Sequence, residues 1–226
     1  MSLKVSVLMP TYNRVDMLPL AIESFLNQDY DNSNLYILNN GSTDGTAEYL
    51  SQFANHERIK VVTSSHNITP PENFNVLLHH YADGNLVCHL HDDDKMLRDG
   101  ISSRVKAFQN DPALQVVYGG WITNGQTYYA DPPFIERIIK EEYVNYLTMM
   151  WKRKEVNGTL DTELRYYHDW LFKIKCFKEY KVGHVMQPVI DYTIHLGQLS
   201  IECRKLGMNG IEEQLMRKKL NEQYGI

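Results

Sequence analysis

The sequence has no long hydrophobic run, little cysteine and no excess of basic charge. Its apolar runs fall short of the roughly 18 residues that a membrane-spanning helix needs, and no charged-then-apolar secretory leader opens it. Cys88, Cys176 and Cys203 are odd in number and widely spaced, which predicts neither a disulfide framework nor a zinc site. We therefore expect a cytoplasmic protein without a transmembrane segment, and peripheral contact with the inner face of the cell membrane stays open.

The charge balance argues against nucleic acid as a partner. The net charge is −5 and the pI about 6.0, whereas nucleic-acid-binding domains are usually basic, with a pI above ~9. Repeats and low-complexity segments are also absent from the 226 residues, of which 43% are hydrophobic. This length and composition predict one α/β domain with an extension.

Short strand-like runs alternate with helical spacing along the first half of the chain. Such alternation implies right-handed βαβ units and a mostly parallel, doubly wound, Rossmann-like sheet with helices on both faces. The predicted strands are Lys4–Met9, Leu35–Leu38, Ile59–Val62, Asn85–Leu90 and Leu114–Gly119. The predicted helices are Val15–Leu26, Thr46–Ala54, Asn73–Tyr81 and Asp99–Gln109.

The alternation ends after residue 119. Apolar residues at helical spacing predict one long helix over Ile135–Trp151, packed in the core. Ile211–Gln223 reads as a charged, mildly amphipathic helix. Its basic residues Arg217, Lys218 and Lys219 indicate a solvated face, with an anionic membrane surface as the alternative.

Three consecutive carboxylates, Asp92, Asp93 and Asp94, follow the predicted strand Asn85–Leu90. Two carboxylates about 4 Å apart repel by about 4 kcal/mol at an effective dielectric constant of 20. The cluster therefore needs either a cation or full solvation. Hard oxygen ligands favour Mg²⁺, Mn²⁺ or Ca²⁺, and the alternative is a solvated, charged turn.

Two further polar motifs follow predicted strands. Pro10–Arg14 follows the first strand, and Asn39–Gly45 follows the second. Because ligands of doubly wound sheets bind outside the carboxyl ends of the strands, all three motifs are expected at one edge. Each motif alone also suits a turn or a helix cap.

The motifs resemble those of inverting nucleotide-sugar glycosyltransferases of family 2, which have the GT-A fold. The resemblance runs from about Lys4 to Ser200. It is carried by Val5–Arg14, Asn40–Thr46, Asn75–Gly84, Asp92–Asp94, Asn157–Asp161, His168–Trp170 and Tyr192–His195 with Ser200.

The resemblance implies a reaction and its components. A nucleoside diphosphate sugar, UDP-sugars being favoured, would donate a sugar to a hydroxyl of a sugar or lipid-linked saccharide acceptor, with Mn²⁺ or Mg²⁺ as the cofactor. The pathway would be bacterial surface polysaccharide or glycolipid assembly. Residues 1–120 would form the donor-binding half of the domain, residues 121–200 its acceptor-binding and catalytic half, and residues 201–226 a C-terminal helical extension on the acceptor side.

The resemblance also implies roles for particular residues. Asp169 would be the general base, and the alternative is a carboxylate that only stabilises a helix start. His195 would meet the metal or a phosphate, and the alternative is a hydrogen-bonded core histidine. The implied donor-binding residues are Pro10, Thr11, Tyr12, Arg14, Asn40, Asp44, Asn75 and Asp92. The implied metal ligands are Asp93, Asp94 and His195.

The chain departs from the family pattern at four positions. Asn39 and Asn40 stand where the family usually has two aspartates. A carboxylate there accepts a hydrogen bond from uracil, whereas an amide donates as well as accepts, so the nucleotide base of the donor stays open. His91 and His168 also replace acidic residues, so a binding module without catalysis is one alternative. A sugar nucleotidyltransferase ranks lower because Pro10–Arg14 contains no glycine.

Overall fold

The computed structural model describes residues 2–141, 143–198, 201, 203 and 205–226, except for the side chain of Asn209. Ser200, one of the residues on which the family resemblance depends, lies outside these residues. Within them, nine strands form a single sheet. The strands are β1 Val5–Thr11, β2 Ser33–Asn39, β3 Ile59–Thr63, β4 Leu86–His89, β5 Lys95–Met96, β6 Val116–Thr123, β7 Gln126–Tyr128, β8 Met150–Lys152 and β9 Val182–Asp191.

The sheet is mixed, and most of its strands run in one direction. Its order is β3-β2-β1-β4-β8-β6-β9-β5, with β7 paired to β6. The first four strands of this order are parallel, β8 is antiparallel to both neighbours, and β9 is parallel to β6. Six of the nine strands, β1 to β4 with β6 and β9, therefore share a direction, which confirms the predicted mostly parallel sheet.

Helices cover both faces of the sheet, as predicted. Strand β1 is buried on both sides, with Val7 in one hydrophobic cluster and Leu8 in the other. Helices α1 and α4 contribute to the cluster around Val7, while α3, α6 and α7 contribute to the cluster around Leu8. The helices are α1 Leu18–Leu26, α2 Thr46–Ser51, α3 Pro70–Val76 with a following π-helical segment Leu77–Tyr81, α4 Gly100–Asn110, α5 Ile135–Lys140, α6 His168–Glu179 and α7 Met208–Tyr224.

The predicted long helix over Ile135–Trp151 is wrong. The segment contains α5, a 3₁₀ turn at Tyr146–Thr148 and strand β8, which fills the place between β4 and β6. Met150 pairs with Cys88 of β4, and Trp151 pairs with Val116 of β6. A strand buried on both faces is apolar at consecutive positions, so spacing alone does not separate it from a buried helix.

The predicted C-terminal helix is present as α7. It is not only a solvated helix, because Met216 and Leu220 are buried against the rest of the domain. Its cations are paired within the chain: Arg217 with Glu213, and Lys219 with Asp161 and Glu163. Across the described ranges, no helix combines the length and the apolar content that crossing a bilayer requires.

Candidate active site

A cavity of about 1030 Å³ lies at the carboxyl ends of β1, β2 and β4. The three polar motifs reach it from successive loops, as the topology of a doubly wound sheet requires. Of the residues assigned by resemblance, eight line it: Pro10, Thr11, Tyr12, Arg14, Asn40, Asp92, Asp93 and Asp169.

The other four assigned residues, Asp44, Asn75, Asp94 and His195, lie outside the cavity lining. Asp44 accepts hydrogen bonds from the backbone N–H of Thr46 at 2.9 Å and, more weakly, of Val15 at 3.3 Å. These bonds hold the start of α2 and join it to the loop that follows β1.

Asn75 makes a paired contact with one backbone residue. Its amide donates to Leu160 O at 2.9 Å and accepts from Leu160 N at 2.8 Å. The side chain therefore anchors the 157–161 loop to α3, away from the cavity.

The loops after β1 and β2 hold each other in place. Asn13 has φ 53°, a left-handed conformation that asparagine tolerates better than most residues. Its Oδ1 accepts from Thr43 N at 2.8 Å, and its own N–H donates to Ser42 Oγ at 3.0 Å. These bonds position Tyr12, whose side chain is 42% exposed at the cavity.

Arg14 joins this first loop to a late segment of the chain. Its Nη2 donates to Gly197 O at 2.8 Å, while its Nε lies 4.0 Å from Asp92 Oδ1. Gly197 follows the Tyr192–His195 segment, which contacts Asp94 through Thr193 and Asp93 through His195.

Asn40 is buried, with 2% of its surface exposed, and its amide is committed to the chain itself. Nδ2 donates to Asn67 Oδ1 at 2.8 Å and to Ile68 O at 2.9 Å, and Oδ1 accepts from Ile68 N at 2.9 Å. The next residue, Gly41, has φ +70°, and a Cβ there would lie 2.9 Å from the backbone of His66. The end of β2 is thus tied to the 66–68 loop by an amide and a glycine.

Asp92 and Asp94 of the acidic cluster are buried, and Asp93 between them is partly exposed. Burial, and then the charge of Asp93, raises the pKa of Asp92 to about 7. Asp94 is 1% exposed, and the same two causes raise its pKa above the ordinary value. Thr193 N donates to Asp94 Oδ1 at 2.7 Å, but Oδ2 has no hydrogen-bond partner among the described residues.

The donor atoms around Asp94 Oδ2 are suited to a cation. One ligand atom each from His91, Asp93 and Asp94 lies within 4.8 Å of the others. His195 Nε2 adds a contact to Asp93 Oδ2 at 2.9 Å. A buried carboxylate oxygen without a hydrogen bond, beside a second carboxylate and imidazoles, is a donor set that suits a divalent cation.

Asp169 lies in the first turn of α6, on the cavity wall. Its Oδ1 accepts from Trp170 N at 2.8 Å, and its Oδ2 lies 3.4 Å from Nζ of the fully buried Lys173. Burial alone would raise the pKa of Asp169, but the charge of Lys173, together with His168 and the backbone bond from Trp170, outweighs it, so this pKa lies below its ordinary value. The carboxylate is therefore ionised at neutral pH.

The comparison with protein families identifies the chain. The sequence model of Glycosyl transferase family 2 matches residues 6–181. The chain belongs to this family. One curated relative is the "Putative teichuronic acid biosynthesis glycosyltransferase TuaG" of Bacillus subtilis. It is 26% identical over 200 residues, which cover 79% of each chain.

Solved structures show that the fold is GT-A. S. aureus TarS 1-349 in complex with UDP-GlcNAc superposes with a TM-score of 0.72 at 20% identity, covering 86% of this chain and 60% of that one. Mannosyltransferase PcManGT from Pyrobaculum calidifontis, in complex with GDP-Man and Mn²⁺, gives 0.66 at 19% identity, covering 91% and 61%. This family 2 chain thus spans about 60% of the length of both.

Sequence reasoning missed three residues that shape this family 2 site. Lys173 was detectable, since it lies one helical turn after Asp169. Asn73 lines the cavity, two positions before the assigned Asn75. Glu212 of α7 accepts hydrogen bonds from the backbone of residues 165–167, a contact across 45 to 47 positions that no local pattern indicates.

Proposed function

We propose that the chain is a metal-dependent, inverting glycosyltransferase that moves a sugar from a nucleoside diphosphate sugar, with UDP-sugars favoured, to a hydroxyl acceptor. One observation carries the proposal: a single cavity is lined by the exposed ring of Tyr12, by Asp92 and Asp93, and by the ionised carboxylate of Asp169. The nucleotide sugars in the TarS and PcManGT complexes support the class of donor.

The donor end of the cavity is the loop edge of β1, β2 and β4. There Tyr12 stacks on the base, Thr11 and Asn40 shape the pocket around it, and Asp92 faces the ribose. Asp93 and Asp94, with His91 or His195, would hold a divalent ion, which when bound offsets the charge that develops on the leaving diphosphate. Residues 1–120 are thus the donor-binding half of the domain in this proposal.

The acceptor end is formed by residues 121–200. Trp121 and Tyr128 lie on the cavity wall with their rings stacked 5.0 Å apart, and Trp170 also lines the cavity. Such flat aromatic surfaces suit the apolar face of a sugar ring. The relative named for teichuronic acid biosynthesis supports an acceptor from bacterial surface polysaccharide or glycolipid assembly.

Asp169 is the group that takes the acceptor proton. A free hydroxyl is a weak nucleophile, so its proton must pass to a base as the new bond to the anomeric carbon forms. The Asp169 carboxylate receives it while the acceptor oxygen attacks the face of the sugar opposite the diphosphate, which inverts the anomeric carbon. Lys173 and Trp170 N hold the carboxylate in place during this transfer.

The test is a donor screen followed by a transfer assay. UDP-, GDP- and dTDP-sugars are added with and without Mn²⁺, and the melting temperature is measured. A ligand present at 100 times its Kd stabilises the fold by about 2.7 kcal/mol, equivalent to a rise of about 5–10 °C for a chain of this size. Release of nucleoside diphosphate from the stabilising donor, dependent on Mn²⁺ and on an acceptor, is the expected result.

A binding module without catalysis is the second candidate, because an asparagine and a histidine replace family acids at Asn40 and His168. A donor that stabilises the protein but is never turned over, with any acceptor of a saccharide panel, would favour it. A protein that no nucleotide sugar stabilises would refute both.

A further inference from the structure

The hairpin of β6 and β7 carries an aromatic pair that is open to the cavity. Trp121 and Tyr128 are cross-strand partners, and their rings are nearly parallel, with an angle of 6° and centroids 5.0 Å apart. Trp121 therefore covers one face of the Tyr128 ring. Tyr128 is nevertheless 37% exposed, and both residues line the cavity. An aromatic ring open to a cavity offers a flat apolar surface to a ligand.

The backbone of the hairpin holds this pair in place. The two turn residues, Asn124 and Gly125, have φ 50° and 73°, as in the tight turns whose twist matches that of the flanking strands. The two strands also approach each other closely, since a Cβ on Gly120 would lie 2.2 Å from Tyr128 O. The pair is thus mounted on a regular hairpin and not on an irregular loop.

The hairpin lies beyond the proposed base in the direction across the sheet. β8 separates β4 from β6, and neighbouring strands lie about 4.8 Å apart, so β6 is about 10 Å from the strand that leads into the acidic cluster. Phe172, within one helical turn of Asp169, packs against Trp151 of β8 with 5.2 Å between ring centroids. The start of α6 therefore lies over β8, between the acidic cluster and the hairpin.

The hairpin also projects past the end of β8. Val117 is the last residue of β6 that pairs with β8, and Trp121 follows four positions later. At about 3.3 Å for each residue, Trp121 lies about 13 Å beyond that pairing. The aromatic pair is therefore set apart from the reacting groups both across the sheet and along the strand.

We propose that Trp121 and Tyr128 bind the second sugar ring of the acceptor, so that the acceptor is a saccharide of at least two units. The attacked ring has to lie beside Asp169, because its hydroxyl passes its proton to that carboxylate. The aromatic pair lies further along the same direction, where the next ring of the chain places its apolar face on Tyr128. The inference rests on the proposed function, since it specifies the acceptor of that reaction.

The experiment measures how transfer depends on acceptor length. The donor is the UDP-, GDP- or dTDP-sugar that stabilises the protein with Mn²⁺, and two acceptor series are compared: glucose, cellobiose and cellotriose, and N-acetylglucosamine, chitobiose and chitotriose. We expect kcat/KM to rise about tenfold from monosaccharide to disaccharide in at least one series, which corresponds to about 1.4 kcal/mol. Because the second ring is remote from the reacting bond, the change should be in KM, with kcat constant within about twofold.

Three variants assign this rise to the aromatic pair. Tyr128→Ala removes the open ring, so its kcat/KM values for disaccharide and monosaccharide should agree within about twofold. Tyr128→Phe keeps the ring and should keep the tenfold ratio. The matched control is Tyr129→Ala, because Tyr129 is the next residue, is 65% exposed and lies outside the cavity lining. Its ratio should equal that of the wild type, and thermal melts establish that each variant is folded.

The outcomes separate this inference from the proposed function. A wild type for which no disaccharide surpasses its monosaccharide overturns the inference, as does a Tyr128→Ala protein that keeps the full ratio. Isothermal titration gives the Kd of the same donor for the wild type and for Tyr128→Ala. A Kd that rises more than about threefold in the variant would assign the pair to the donor sugar and would also overturn the inference. A protein that no nucleotide sugar stabilises refutes the proposed function itself.

Discussion

Glu212 offers the sharpest test of how the site is held together. This carboxylate of α7 is 5% exposed and accepts three backbone N–H groups, from Arg165 at 3.1 Å, Tyr166 at 2.7 Å and Tyr167 at 3.2 Å. These three residues line the cavity and lead directly into α6, which carries Asp169. The C-terminal helix therefore fixes the loop that leads into the helix of the proposed base.

The Glu212→Ala substitution leaves these N–H groups without their acceptor. At about 1 kcal/mol for each hydrogen bond, the free energy of unfolding should fall by about 3 kcal/mol. For a chain of this size that corresponds to a fall in Tm of about 6–12 °C. Glu212→Gln keeps one acceptor oxygen and should lie between the alanine variant and the wild type.

The matched control is the adjacent residue of the same helix. Glu213 pairs with Arg217 at 2.8 Å across one helical turn, and 36% of its side chain is exposed. Such an exposed pair contributes about 0.3–0.5 kcal/mol, so Glu213→Ala should change Tm by only about 1–2 °C.

The assay combines thermal melts with transfer kinetics. Because the loop lies in the proposed acceptor-binding half, Glu212→Ala should lower kcat while the Kd for the nucleotide stays within about twofold of the wild type. Equal Tm and equal kcat for the Glu212→Ala and Glu213→Ala variants would refute the reasoning. Loss of nucleotide affinity along with kcat would show that the contact supports the whole domain and not this loop.

Three further predictions concern the cavity. Asp169→Asn removes the proton acceptor, so kcat should fall by about 10²–10⁴ with unchanged nucleotide Kd, and near-normal turnover would exclude Asp169 as the base. Burial and the adjacent Asp93 charge raise the folded-state pKa of Asp92 to about 7, and raise that of Asp94 as well, so the metal-free folded chain keeps protons that the unfolded chain has lost. Its unfolding free energy should therefore fall as pH rises from about 4 to about 8, and Mn²⁺ should raise Tm more at the upper limit than at the lower; a Tm shift independent of pH would contradict this. Asn40→Asp removes two donated hydrogen bonds and should lower stability by about 2 kcal/mol, measured by urea unfolding, whereas an unchanged midpoint would show that the 66–68 loop needs no donor at this position.

The first half of the fold was predictable because its signals are local. β1 to β4 and the helices between them follow from apolar runs and turn residues, and parallel topology then places Thr11, Asn40 and Asp92 at one edge. Periodicity failed where the chain inserts β8 between β4 and β6, because the partners of Met150 and Trp151 decide their conformation.

The resemblance assigned residues, but their contacts depend on distant parts of the chain. Asp44 and Asn75 carry family motifs, yet their hydrogen bonds go to backbone groups of Val15, Thr46 and Leu160. Glu212 acts through residues 45 to 47 positions away. Short motifs specify which residue types are present, whereas these long-range contacts specify which of them face the cavity.

The replacement of a family aspartate by Asn40 has a physical explanation in this chain. A carboxylate at this position could accept from Ile68 N but could not donate to Asn67 Oδ1 or Ile68 O, as the amide does. The asparagine therefore belongs to the hydrogen bonding of the 66–68 loop, which gives its presence an explanation other than a loss of catalysis.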